Sequence, residues 1–174
     1  MVINGTEKLF SLEEISYIDN MWDDNLIVYK EGHRDRYYTS VNLETKESDK
    51  IVKKLVEWFN TVNEEKILVN PEELILHRFE IGSYFDKHKD DQITKHGPRK
   101  YLAGISLNDN FEGGEFFTYE NEPLQIGKEV GVPYLMKSTV LHEVTKVTKG
   151  IRKSAFIFLY EKNFINDIIP RELF

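Results

Sequence analysis

Residues 139–160 read Thr139-Val140-Leu141-His142-Glu143-Val144-Thr145-Lys146-Val147-Thr148-Lys149-Gly150-Ile151-Arg152-Lys153-Ser154-Ala155-Phe156-Ile157-Phe158-Leu159-Tyr160. An apolar stretch, a glycine turn and a second, more apolar run form the pattern of two short strands, the second of them buried. Arg152 stands where the chain enters that second strand. A buried guanidinium without an anionic partner is strongly unfavourable, so Arg152 calls for a carboxylate. Its planar fork suits bidentate pairing with one. Ser154 follows two residues on, hence on the same strand face, and can add a hydroxyl. The carboxylate belongs either to a small ligand or to an internal Asp or Glu.

His142 lies ten residues before Arg152, and a second cluster, His88-Lys89-Asp90, lies upstream. Side chains at i and i+2 of a strand share a face, so His88 and Asp90 can reach one ion together. His142 would supply the third ligand from a different strand. Two imidazoles and one carboxylate make the facial triad that holds non-haem Fe(II) and leaves positions open for substrate chemistry. Taken singly, each residue has a plainer reading as a satisfied core or surface group.

Upstream of residue 70 the pattern is helical. Ser11 with Glu14 forms a capping-box signature ahead of Leu12, Ile15, Ile18 and Met21 or Trp22. A second helix is predicted from Ser48, with Ile51, Val52, Leu55, Val56, Phe59 and Val62 along one stripe. Between them, Tyr37, Tyr38 and Val41 suggest a strand. After Pro71 come strand-like runs near 74–80, 84–90, 99–107, 115–119, 123–126, 132–137, 139–143 and 151–160. Turn residues separate them: Gly82, Gly97-Pro98, Gly113-Gly114, Gly127, Gly131 and Gly150. Two helices followed by these strands predict an α+β chain, an antiparallel sandwich or jelly roll with the helices packed on one sheet. The expected organisation is one domain over 1–174: helical support to about 70, a strand core over about 74–160, and an apolar tail over 161–174 that covers core surface or a dimer contact.

Composition narrows the function classes. The chain has no cysteine, which excludes disulfide scaffolds, thiolate metal sites and cysteine nucleophiles. It shows no signal-peptide pattern at its start and no apolar run of the roughly 20 residues a membrane span needs. The expectation is a soluble cytoplasmic protein, monomer or dimer, in which the Asn4-Gly5-Thr6 sequon is idle. A net charge of −7 opposes nucleic acid as a partner. One basic segment, Lys87 to Lys100, holds five Lys or Arg against two Asp. It reads as a solvated loop, or as a rim and lid that attracts a carboxylate-bearing substrate.

His88-x-Asp90, Gly113-Gly114-Glu115 and His142-x-Val144-x-x-Val147-x-x-Gly150-x-Arg152, in this order, resemble the prolyl 4-hydroxylase-type branch of the 2-oxoglutarate/Fe(II) dioxygenases. Arg78-Phe79-x-x-Gly82-x-x-Phe85-x-x-His88 is similar to that branch as well, as is Arg99 followed by Leu107-Asn108. The likeness runs from about residue 74 to 160. It implies a double-stranded β-helix with Fe(II) on His88, Asp90 and His142. It further implies that the far carboxylate of 2-oxoglutarate meets Arg152 with Ser154 as helper, and that ascorbate serves as reductant. The implied reaction couples decarboxylation of 2-oxoglutarate to hydroxylation of a C–H bond. Peptidyl proline is the leading substrate; another protein residue or a free amino acid is also compatible.

Two departures stand out. Many relatives carry Tyr-Leu-Asn where this chain has Ser106-Leu107-Asn108, so Ser106 takes the place of a tyrosine that often contacts the co-substrate. Tyr101 lies at odd offset from Ser106, on the opposite face, and does not inherit that role. Phe79 stands where tyrosine is frequent. His77, His96, His33 and Glu115 are read as structural or exposed, with a substrate contact open for His96. The rival readings are a nucleic-acid-modifying dioxygenase with the same triad, and a non-catalytic metal- or sugar-binding jelly roll.

Overall fold

Ser11 opens the first helix by the reciprocal pairing its sequence predicts. Its hydroxyl accepts from the Glu14 N–H at 3.2 Å, and the Glu14 carboxylate accepts from the Ser11 N–H at 2.9 Å. In the computed structural model, residues 1–22, 27–31, 34–41, 46–64, 67–69, 74–94 and 97–161 are described. The order is β1 (Val2–Asn4), α1 (Leu12–Asp19), β2 (Ile27–Glu31), β3 (Arg34–Val41), α2 (Lys46–Val62), β4 (Ile67–Val69) and β5 (Leu74–Phe79). Then follow β6 (Tyr84–His88), β7 (Ile93–Thr94), β8 (Gly97–Ser106), β9 (Glu112–Gly113), β10 (Phe116–Tyr119) and β11 (Pro123–Ile126). The last strands are β12 (Pro133–Lys137), β13 (Leu141–Val144), β14 (Val147–Lys149) and β15 (Arg152–Glu161).

The strand ladders are antiparallel, and one continuous path runs β1-β12-β8-β15-β5-β3-β6-β13-β10-β11. Neighbours on this path are often distant in sequence, the crossed connectivity of a jelly roll rather than a meander. Period-two alternation with both faces buried explains why β15 is apolar at every position from Ala155 to Tyr160. Ala155, Ile157 and Leu159 join one buried cluster, and Phe156, Phe158 and Tyr160 join another. The first cluster takes in Ile15 and Ile18 of α1 and Ile51, Val52, Leu55 and Phe59 of α2. There the Phe59 ring meets Tyr101 edge-on, centroids 5.3 Å apart. The second cluster lies inside the roll, where Phe85, Phe116, Ile126 and Val144 close over Leu102, Tyr134, Met136 and Phe156. The sheet is therefore covered on both faces, by helices outside and by the opposing strands inside.

The eight strand runs read from the sequence all appear, with ends shifted by a residue or two. The second helix starts at Lys46, ahead of the expected Ser48. The suggested strand near Tyr37 is β3, paired with β2 in a hairpin. Short strands β1, β4, β7, β9 and β14 escaped the sequence reading because each has only two or three residues, too few to show a period. The expected tail beyond Glu161 lies outside the described residues, as do His33 and His96. Among the described residues, no helix is long and apolar enough to cross a membrane.

Candidate active site

His142 pairs with His88 across β13 and β6, whereas Val144 pairs with Phe85, so the register slips between them. Between these pairs one residue on β13, Glu143, faces two on β6, Asp86 and Lys87, the count that defines a bulge. The slip lets Phe85 and His88, at an offset that would normally oppose them, both face inward. Their rings stack at 3.6 Å. Strand β6 ends at His88, so the expectation that Asp90 rides the same strand is corrected. The corner before β13 holds Asp90 instead: its N–H donates to the Ser138 carbonyl at 2.9 Å, and the Ser138 N–H donates to the Lys100 carbonyl at 2.9 Å. Ser138 is fully buried, which makes this corner a rigid support.

These elements bring His88, Asp90 and His142 together, with one donor atom of each within 4.8 Å of the others. The His88 Nε2 lies 3.7 Å from Asp90 Oδ1, and the His142 Nε2 lies 3.4 Å from Oδ2. Each imidazole Nδ1 faces a backbone carbonyl, Asp86 for His88 at 2.7 Å and Val140 for His142 at 2.9 Å. A carbonyl can only accept, so Nδ1 carries the proton on both rings. Each Nε2 then offers its lone pair to a cation or, as imidazolium, a second N–H to Asp90. Burial opposes charge on Asp90, but the hydrogen bond from His142 and the charges of His142, His88 and Arg99 outweigh it. The carboxyl is held below its ordinary range, ionised and ready to ligate. Two nitrogens and one carboxylate oxygen suit Fe(II) with open positions, so the donor chemistry fits the metal that the sequence suggested.

Arg152 begins β15 and is 3 % exposed. Its guanidinium donates to Ser154 Oγ at 3.1 Å and lies over the rings of Phe79 and Phe116, 5.4 and 5.9 Å from their centroids. The hydroxyl of Tyr134 supports its charge from β12. No carboxylate pairs with it among the described residues, so the alternative of an internal Asp or Glu finds no partner there. Burial pushes the guanidinium below its usual pKa, with Tyr134 opposing. A cavity of about 630 Å³ reaches Arg152 past Gly114, Phe116 and Ile126. Phe116 also meets His142 edge-on at 5.6 Å, so one aromatic ring separates the arginine from the metal-type cluster.

Ser106 is buried, and its hydroxyl donates to the carbonyl of Gly127. His77 is half-buried and packs against Phe156 and Phe79, with centroids 4.5 and 5.8 Å away. Glu115 is tied to Thr145: its N–H donates to Thr145 Oγ1 at 2.9 Å and its carboxylate accepts from the same hydroxyl. Tyr134, which the sequence reading did not single out, opposes the effect of burial on Arg152. It sits inside an apolar run, Val132 to Met136, where a tyrosine reads as filler.

No family model matches the chain, and no curated protein does. Solved structures do match. One is the viral collagen prolyl hydroxylase of Paramecium Bursaria Chlorella virus-1 in complex with 2OG, at 21% identity over 91% of this chain and 94% of that one, TM-score 0.69. Another is a prolyl hydroxylase from Trichoplax adhaerens in complex with a hypoxia inducible factor peptide fragment, at 16% identity, 98% and 87% coverage, TM-score 0.70. A third is the non-haem alpha-ketoglutarate dependent epimerase SnoN from nogalamycin biosynthesis, at 10% identity, 92% and 76% coverage, TM-score 0.74. This chain has the jelly-roll fold of the 2-oxoglutarate/Fe(II) oxygenases. That one fold carries both hydroxylation and epimerisation, so the reaction has to be argued from the site.

Proposed function

We propose that this protein is an Fe(II)- and 2-oxoglutarate-dependent dioxygenase of the prolyl 4-hydroxylase type, hydroxylating a C–H bond in a peptide or protein, with proline the leading target. The observation that carries this reading is Arg152, a buried guanidinium with no carboxylate partner among the described residues, one ring away from a two-histidine, one-aspartate cluster. His88, Asp90 and His142 would hold the metal, and Arg152 with Ser154 would take the far carboxylate of the co-substrate. When bound, Fe(II) and 2-oxoglutarate supply the oxidising power, O2 being consumed with release of succinate and CO2.

The chain's own residues orient and exclude. The carbonyls of Asp86 and Val140 hold the two imidazoles with Nε2 inward. Phe79, Phe85 and Phe116 keep water from the space between ligands and arginine, which strengthens the charge pairing there. The segment after Asp90 forms the small β7–β8 hairpin, where Ile93 is 80% exposed, and is proposed as the substrate-facing lid. The net charge of −7 disfavours the nucleic-acid alternative. A cysteine-free chain suits a reducing compartment such as the cytoplasm.

The test is succinate release with Fe(II), ascorbate and 2-oxoglutarate, across proline-rich peptides, free amino acids and alkylated oligonucleotides. Stimulation by proline peptides is expected. Stimulation by oligonucleotides alone would replace the substrate class, and absence of succinate in every arm would end the oxygenase reading.

A further inference from the structure

We infer that Ser138 is a positioning residue for the metal site: from the turn between β12 and β13 it ties Asp90 to the returning arm of the β7–β8 hairpin and keeps movement of the hairpin from reaching that ligand. The inference rests on the proposed metal site and names a residue that touches neither metal nor co-substrate.

Asp90 needs such a support. Strand β6 ends at His88, so the carboxylate ligand sits on irregular chain, followed by exposed Asp91 and Gln92 and then by the hairpin. The hairpin is closed on itself. Ile93 pairs with Pro98 and Thr94 with Gly97, the Thr94 hydroxyl donates to the Gly97 carbonyl at 3.1 Å, and the Arg99 N–H donates to the Gln92 carbonyl at 3.2 Å. None of these bonds reaches back to Asp90.

Ser138 supplies the link with three polar groups. Its carbonyl accepts from the Asp90 N–H at 2.9 Å, on the outgoing arm. Its N–H donates to the Lys100 carbonyl at 2.9 Å and its hydroxyl donates to the Arg99 carbonyl, both on the returning arm. Arg99 is held at its far end as well, with its guanidinium 3.7 Å from the centroid of the Phe158 ring. Ser138 is fully buried, so water does not compete for these bonds. Alanine would fill the same space without a polar atom to satisfy, and the hydroxyl is retained where its bond fixes the arm that returns from the hairpin.

The same turn serves a second ligand. The Val140 N–H donates to the Lys137 carbonyl at 2.9 Å and closes the turn, while the Val140 carbonyl faces His142 Nδ1. Two of the three ligands, Asp90 through Ser138 and His142 through Val140, are thus oriented from one short piece of chain. Contacts that orient a ligand from behind commonly govern metal affinity by about ten- to hundredfold. The Ser138 hydroxyl acts one contact further out, so the smaller figure applies.

The experiment titrates the full chain with Co(II) alone, reading affinity by calorimetry and ligand geometry by the visible absorption of the bound ion. Ser138→Ala removes a single hydrogen bond and should stay folded, with Co(II) held roughly tenfold more weakly and its spectrum altered. Ser138→Thr, which keeps the hydroxyl, should recover most of the affinity. Ser83→Ala is the comparison. Ser83 is 2% exposed and its hydroxyl donates to Asp35 at 3.4 Å, so its loss should lower the thermal melt without moving Co(II) affinity or spectrum. Thr94→Gly, which loosens the hairpin, should leave Co(II) affinity within about a factor of two in wild type and lower it further in Ser138→Ala. Unchanged Co(II) affinity and spectrum in Ser138→Ala would overturn the assignment and leave the metal site standing. Equal weakening in Ser83→Ala would reduce Ser138 to a packing residue, and equal weakening by Thr94→Gly with and without the Ser138 hydroxyl would refute the insulation of Asp90. Wild-type protein that binds no Co(II) would remove the metal reading and the assignment together.

Discussion

The ring of Phe85 stacks on the ring of His88 at 3.6 Å and 17°, although a regular strand would send these two side chains to opposite faces. The bulge in β6 makes the stack possible and turns His88 toward Asp90 and His142. Deleting the exposed Lys87 should straighten the strand and leave Phe85 and His88 two positions apart, hence on one face without a bulge. The expected result is retained Mn(II) or Co(II) binding by calorimetry, with the sheet signal kept in far-UV circular dichroism. Loss of metal binding with the sheet intact would refute the role given to the bulge.

Single-ligand variants should behave alike. His142→Ala and Asp90→Ala are each expected to abolish tight binding of a first-row divalent cation and all succinate release. His77→Ala, a change to the half-buried histidine of β5, should leave metal affinity unchanged and cost only stability. A variant of His142 that binds metal as well as wild type does would exclude it from the ligand set.

Arg152 is kept at the expense of the ligand-free fold. A buried cation without an anionic partner is unfavourable, and an apolar replacement of similar length is often neutral or stabilising. Arg152→Met should therefore melt no lower than wild type without ligand, and should lose the thermal shift that 2-oxoglutarate gives wild type. Arg152→Ala should weaken 2-oxoglutarate ten- to hundredfold, a cost of about 1.5–3 kcal/mol, with metal affinity preserved. Parallel loss of metal and co-substrate would mark the arginine as structural instead.

Two glycines separate backbone cost from steric cost. Gly82 has φ +90 with no atom within 4 Å of where a Cβ would stand. Gly113 has φ +70, and its Cβ would lie 2.2 Å from the Lys146 carbonyl oxygen. Gly82→Ala should cost about 1 kcal/mol, a melting shift of about 2–4 °C, from conformation alone. Gly113→Ala should cost clearly more, because the β9–β14 pair must also open. Equal shifts in differential scanning calorimetry would contradict the clash.

The capping box gives a pH-dependent prediction. The hydrogen bond with Lys54, then that with the Ser11 N–H, hold the Glu14 carboxyl below its ordinary value against a smaller effect of burial. A depressed folded pKa contributes stability that is complete above the unfolded value and fades as pH falls through the folded one. Wild type should therefore exceed Glu14→Gln in urea stability at neutral pH, and the two should converge in acid below the ordinary carboxylate range. Ser11→Ala should cost about 1 kcal/mol at neutral pH. A gap between wild type and Glu14→Gln that widens in acid would contradict this sign.

Some of this protein was decided within a few residues of sequence. Alternation and glycine turns marked the eight longer strands after Pro71, Ser11 and Glu14 marked the start of α1, and the type and order of His88, Asp90, His142 and Arg152 suggested their chemistry. Such signals are local, since caps, turns and period-two faces depend on neighbours along the chain. Register and depth are not local. The slip between Phe85 and His88 and the support of Asp90 by Ser138 exist only once distant strands are paired. Whether Arg152 meets an internal carboxylate or an open pocket was likewise undecidable from spacing. A buried charge is satisfied by whatever the packed strands bring close, and here the described residues bring a serine hydroxyl and two aromatic faces.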